Sequence, residues 1–188
     1  MKFPNNIVLV KDYHERIDVK IKMVHPKWIV NLLMFLLFSF IILFIFGLFT
    51  FKIFEEIGPA ALIICAFYLF LTYRFARIVF WHKDGEELLI LTDLSFSFIR
   101  NYGIYQSKID TITDPHYEIG FLESHSEEKD NPIGKLVFCH VDPVSKLESL
   151  LFETALDITY DDFIIIKSHL FKLRAPEDFL FKNDIILN

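Results

Sequence analysis

Charge is missing from two long stretches of this chain. Trp28 to Phe51 holds no Asp, Glu, Lys or Arg, and Ile57 to Tyr73 holds none either. Each run is long enough to cross a bilayer core about 30 Å thick. Cysteine is scarce as well: Cys65 lies inside the second run and Cys139 in the more polar remainder. One is expected in lipid and the other in water. A disulfide between them is therefore not expected, which suits a reducing compartment, and both read as small apolar fillers. Six glycines leave no Gly-rich phosphate loop. No Ser, His and Asp set has a local signature, and the acidic stretch Glu127, Glu128 and Asp130 does not follow the EF-hand pattern. His116, between Asp114 and Glu118, His125 and His140-x-Asp142 are of ligand type but lack metal-site spacing. The expectation is a non-enzyme with no catalytic residue, no cofactor and no metal site.

What is present is apolar. The chain has 188 residues, 53% of them hydrophobic, a mean hydropathy of +0.39 and 22 Phe that cluster in the two runs. A typical soluble domain is slightly less apolar. Outside the runs roughly 130 residues remain, enough for one small domain with its own core. The first run follows a polar segment with six Lys or Arg, and no small-residue cleavage site follows it, so it reads as an uncleaved anchor. Three segments result: 1–27, a cytoplasmic N-terminal segment with strands; 28–81, a two-helix transmembrane hairpin; 82–188, a cytoplasmic β domain ending in a helix.

Basic residues flank the runs. Lys20, Lys22 and Lys27 precede the first, Arg74 and Arg77 end the second, and the connection has only Lys52 beside Glu55 and Glu56. Short flanks rich in Lys and Arg stay in the cytoplasm, so both termini are expected there, with a tight turn outside at Gly58-Pro59. Trp28 and Trp81 would sit at the same membrane interface. Arg74 and Arg77 would snorkel to headgroups from the last turns of the second helix. The spans offer few polar groups, namely Asn31, Ser39, Thr50, Tyr68 and Thr72. The expected arrangement is a hairpin packed on itself through Ser39, Gly47, Ala61 and Cys65, since small residues let helices approach.

The remainder changes period. Arg16 to Met23 alternates charged and apolar residues strictly, which predicts a strand with one buried face. Asn6 to Val10 reads as a second strand, with a turn in Lys11 to Glu15. A lone hairpin is marginal in water, so these strands need a sheet to join, and the C-terminal domain is the one at hand. There, strands are predicted at Glu87–Thr92, Leu94–Ile99, Ile104–Ile112, Tyr117–Leu122, Leu136–Val141 and Leu147–Phe152. Turns are predicted at His82–Gly85 and Asn101–Gly103, and an exposed loop at Glu123–Pro132. Thr159 then caps a helix, with Asp162 in the capping-box position and Phe163, Ile166, Leu170 and Leu173 at helical spacing, ending near Arg174. The predicted fold is a membrane-anchored α+β chain: a transmembrane helical hairpin plus a small antiparallel β sandwich or barrel closed by a C-terminal helix.

This order of elements resembles the bacterial pleckstrin-homology-like membrane proteins, and in layout the YcxB-like group. The residues that carry the likeness are the strand region Ile7–Val24 before two spans, Leu91-Thr92-x-Leu94, the Gly103 turn, Ile109-x-x-Ile112, and the step Ile158 to Phe163 into the last helix. The resemblance implies a membrane-anchored, non-enzymatic domain in a bacterial inner membrane. It supplies no catalytic residues.

Charge bounds the partners. From 82 to 188 there are 10 basic and 20 acidic residues, a balance of −10; from 1 to 81 there are 9 and 5, a balance of +4. A headgroup site needs clustered basic residues, and the C-terminal domain offers scattered ones. The same balance argues against nucleic acid. The expected partners are the bilayer, met by the basic collar, and a protein partner or further copies of the chain. The expected role is an interaction or scaffold module, or a subunit of a membrane complex. The rival is a two-span defence effector whose β domain senses a nucleotide signal, with Arg100, Lys108 and Lys135 as the strand-borne ligand contacts.

Overall fold

The computed structural model describes residues 6–50, 59–124 and 132–175. The first apolar run forms helix α1 (Lys27–Thr50) and the second forms α2 (Pro59–Asp84). At 24 and 26 residues they are about 36 and 39 Å long, at 1.5 Å per residue. Both are long and apolar enough to cross a membrane. Only 6% of each apolar window is buried inside the molecule, whereas the core helix of a soluble domain is mostly buried. Phe35, Leu43 and Ile63 stand out from the pair, each at least two-thirds exposed. The helices meet through Tyr68, whose ring stacks between Phe40 and Phe44 and whose hydroxyl donates to the Phe40 carbonyl. Of the expected outer turn, Pro59 opens α2; Gly58 lies outside the described residues.

Before and after the helices in the chain the described residues form eight strands: β1 (Ile7–Tyr13), β2 (Arg16–Lys22), β3 (Glu86–Leu91), β4 (Ser95–Asn101), β5 (Asp110–Thr113), β6 (Tyr117–Glu123), β7 (Ile133–Val141) and β8 (Glu148–Thr159). The first five form one antiparallel sheet in sequence order, and the last three form a second. Helix α3 (Tyr160–Arg174) follows β8 directly. Thr159 caps it, its hydroxyl oxygen accepting from the Asp162 backbone N–H at 3.2 Å while the hydroxyl donates to the Asp162 carboxylate at 2.6 Å.

The alternation of β2 is visible in its burial. Ile17, Val19 and Ile21 are fully buried, and the charged residues between them are not. They join Leu89 and Leu91 of β3, Phe96 of β4, Tyr117 and Ile119 of β6, Leu136 and Phe138 of β7, Leu156 and Ile158 of β8, and Phe163, Ile166 and Leu170 of α3. Phe96 and Phe138 stack across the two sheets at 4.3 Å. Burial of a large side chain contributes about 1.5–3 kcal/mol, so this cluster is what holds the two sheets and α3 together.

Of the expected sandwich or barrel, the strands form two antiparallel sheets sharing one core and do not close a barrel. Neither β5 with β6 nor β1 with β8 forms a ladder, and side chains bridge the gap instead. Asn6 donates from Nδ2 to the Asp157 carbonyl at 2.9 Å and accepts from the Val24 backbone N–H at 3.2 Å. The predicted strand Ile104–Ile112 is mostly a loop. Asp110–Thr113 forms a ladder with β4 and Gln106 only an isolated bridge to Asn101, because Gly103 turns the chain at φ +82° and Ser107 then donates its backbone N–H to the Arg100 carbonyl. β8 runs to Thr159 rather than stopping at Phe152. The predicted turn His82–Gly85 is largely helix, since α2 continues to Asp84. Gly85 makes the exit. A Cβ there would lie 2.2 Å from the Trp81 carbonyl oxygen, and its own carbonyl accepts from the Met23 backbone N–H at 2.9 Å. Of the predicted loop Glu123–Pro132, Glu123 belongs to β6 and residues 125–131 lie outside the described residues.

β2 leads into α1 and β3 leads out of α2, and these two strands pair from Ile17↔Leu91 to Lys22↔Glu86. The hairpin is thus inserted between adjacent strands of the larger sheet.

Candidate functional site

The cytoplasm-expected end of α2 runs along the β domain. Arg74, Arg77, Ile78 and Trp81 share one face of the helix, being spaced three, four and seven residues apart. Opposite them stand Arg100 and Tyr102, at the end of β4, and Ala155 of β8. Together they line a cavity of about 370 Å³. The fold brings Arg100 to Arg74 and Arg77, from which β3 and most of β4 separate it in sequence. It does not bring the other two strand-borne candidates. Lys135 lies on β7 and pairs with Glu153 at 2.9 Å, and Lys108 is exposed in the loop before β5.

The three guanidinium groups are held differently. Arg77 donates from Nη2 to the Tyr102 hydroxyl at 2.8 Å and lies over the Tyr102 ring at 4.5 Å. Tyr102 packs in turn on Trp81, with ring centroids 4.9 Å apart. A phenol carries no negative charge at neutral pH, so Arg77 is positioned without being neutralised. Arg74 is exposed and has no ion pair among the described residues. Arg100 donates from Nε to Glu87 at 2.9 Å, leaving its two terminal nitrogens without a bond among the described residues. One carboxylate, Glu87, stands behind the three cations and is not itself among the lining residues.

That carboxylate is already occupied. Glu87 is 1% exposed and sits where alternation with Leu89 and Leu91 reserves an inward position. Its oxygens accept from the backbone N–H groups of Ala155 at 2.9 Å and Leu156 at 3.0 Å. Those groups are free because β8 bulges: Val137 pairs Glu153, whereas Lys135 pairs Asp157. Thr154 fills the gap by accepting from the Leu136 backbone N–H at 3.1 Å. Glu87 therefore ties the two sheets together and fixes Arg100 at the cavity. Sequence reasoning passed over it; the signal was an acid in phase with buried leucines.

The other residues expected at a membrane interface sit near this end of the hairpin. Lys20 and Lys22 on β2 both reach Glu86, at 2.8 and 4.0 Å, so part of the basic collar is neutralised within the domain. Lys27 and Trp28 open α1 and are exposed. Trp81 is half-buried against the domain. Where the chain enters α1, His25 meets His82 of α2 ring to ring, Nε2 to Nδ1 at 2.9 Å. Burial, then the charge of His82, push the His25 pKa below its ordinary 6.5.

A second constellation lies at the far end of the domain. Asp114 accepts from the His116 backbone N–H at 2.8 Å and is 2.7 Å from Nδ1 of His140. Burial alone would raise the Asp114 pKa; these bonds outweigh it and hold the carboxyl below its ordinary value. No group of three metal-ligand residues forms among the described residues. His125 lies outside them. Cys139 is half-buried, and burial together with Glu148 and Glu118 raises its pKa, which disfavours the reactive thiolate.

Compared with family models, curated proteins and solved structures, the chain matches none.

Proposed function

We propose that this chain is a non-enzymatic interaction module tethered to the cytoplasmic face of a bacterial inner membrane. Helices α1 and α2 span the bilayer, both termini lie in the cytoplasm, and the two-sheet domain is presented to a protein partner or to further copies of the chain. The observation that carries this reading is the point of insertion. The hairpin enters and leaves through β2 and β3, which pair along their length, so the domain is held against the membrane surface and does not hang from a linker. Local concentration is the mechanism: a partner captured by a sheet edge or the acidic surface is held at the bilayer. The antiparallel sheets followed by a closing helix support the pleckstrin-homology-like comparison in element order.

Because Lys22 and Glu86 face each other in register, residues 23–85 can be replaced by a two-residue Asn-Gly turn. The resulting soluble domain is expected to retain partner binding, weakened by loss of membrane concentration. Complete loss of binding by a folded domain would count against the tether role. The arginine-lined cavity favours a second reading, an effector whose domain senses a nucleotide and whose spans oligomerise. Toxicity on co-expression with a nucleotide synthase is its expected sign, and harmless expression argues against it.

A further inference from the structure

We propose that the cavity between α2 and β4 is a binding site for a phosphate group, held by Arg74, Arg77 and Arg100. This rests on the membrane reading for the source of the ligand but not for the chemistry of the site. Guanidinium groups bind phosphate oxygens in bidentate fashion, and a cluster of them is how proteins recognise that group. Here the cluster is pre-arranged. Tyr102 holds Arg77 through its hydroxyl at 2.8 Å, and Glu87 holds Arg100 through Nε at 2.9 Å, which leaves the outer nitrogens of Arg100 to face a ligand. Glu87 is saturated by two backbone N–H groups besides Arg100 and turns no free carboxylate toward an anion. The site keeps an excess of positive charge in a domain that is otherwise acidic.

Size narrows the ligand. A volume of about 370 Å³ lies at the small end of the roughly 300–1,000 Å³ of ordinary ligand sites. It suits a phosphodiester headgroup or a small phosphate ester rather than a cyclic oligonucleotide. Two sources share this chemistry. A headgroup would enter from the bilayer, since Arg74 and Arg77 lie on an apolar helix and the half-exposed Ile78 stands beside them at the cavity. A free ester would enter from water.

The test uses the full chain purified in a neutral detergent. Radiolabelled phosphatidylglycerol in mixed micelles and radiolabelled pyrophosphate in water are the two probes. At least one is expected to bind saturably, and more weakly as salt rises. R74Q/R77Q should lower its affinity at least about tenfold, the size expected for losing charge-assisted hydrogen bonds. R74K/R77K should recover part of it, and K135Q, whose Lys135 is engaged on β7, should match the parent. Binding of the lipid alone identifies a headgroup; binding of pyrophosphate alone identifies a soluble phosphate compound. Failure of both probes, or equal affinity in R74Q/R77Q, overturns the site. Alkaline carbonate extraction of native membranes tests the membrane reading separately. A chain that washes off but binds pyrophosphate refutes the anchor and keeps the site; one that stays but binds neither probe refutes the site alone.

Discussion

The hairpin and the β domain are built from the same apolar residue types turned in opposite directions. In the domain, Ile17, Val19, Ile21, Leu89 and Phe138 point inward and are fully buried. In the hairpin, Phe35, Leu43, Ile63 and Phe67 point outward, each more than 60% exposed. The domain hides its apolar surface by alternation, because water lies on one side of each sheet. The hairpin has no alternation to offer and leaves its surface to whatever surrounds it. Under the proposed membrane reading the same composition meets two solvents, and the change falls within a few residues, at Met23–His25 and His82–Gly85. Near that boundary lie the three arginines, the buried Glu87 and the histidine pair.

Breaking the boundary from the domain side should have the largest effect. Glu87→Ala leaves two buried backbone N–H groups and Arg100 without their acceptor. It is expected to destabilise the domain by about 4 kcal/mol, the usual cost of removing one partner of a buried ion pair. Chemical denaturation of the soluble, turn-closed domain measures it, and a change within ±0.5 kcal/mol would remove Glu87 from its role. From the hairpin side, Phe67→Arg, in the middle of the second apolar run, should raise the free energy of membrane insertion by about 3 kcal/mol if lipid surrounds it. A glycosylation-reporter insertion assay reads this, and an unchanged insertion efficiency would sink the two-solvent comparison. Thr159→Ala removes the cap of α3 and should cost about 1 kcal/mol in the same denaturation experiment.

The smallest effect is expected from pH. His25 has a folded-state pKa below its ordinary 6.5, so the unfolded chain binds the proton more readily. The stability it contributes is fully present above pH 6.5 and is lost as pH falls from there through the depressed value. Acidification should loosen the junction first, seen as faster hydrogen exchange at Met23, whose N–H bonds Gly85. His25→Phe should flatten that dependence. A junction equally protected on both sides of pH 6.5 would show that the histidine pair has no such role.

Much of the local structure was legible because it depends on neighbours in sequence. The helices followed from charge-free runs, and β2 from strict alternation. α3 followed from a cap and a 3.6-residue period. Misreadings fell where local signals competed with packing. The apolar stretch Ile104–Ile112 looks like a strand, yet Gly103 and the Ser107 bond to Arg100 hold most of it as a loop. His82–Gly85 has the residues of a turn, but helix propagation carried α2 to Asp84, and only the close contact of Gly85 with Trp81 ended it. Barrel closure also failed from sequence, since strand spacing cannot report whether the two end strands meet.

By itself the sequence determined the two apolar helices, the antiparallel strands with one apolar face, and the capped closing helix. These follow from hydrophobic period and from caps, which act over a few residues. Only the tertiary structure decided that the sheets stay separate, that Glu87 serves a bulge 68 residues away, and that Arg100 stands beside Arg74 and Arg77. Such juxtapositions depend on how long-range packing orients whole elements. No local pattern encodes that, because the same strand and the same helix would form wherever their partners lay.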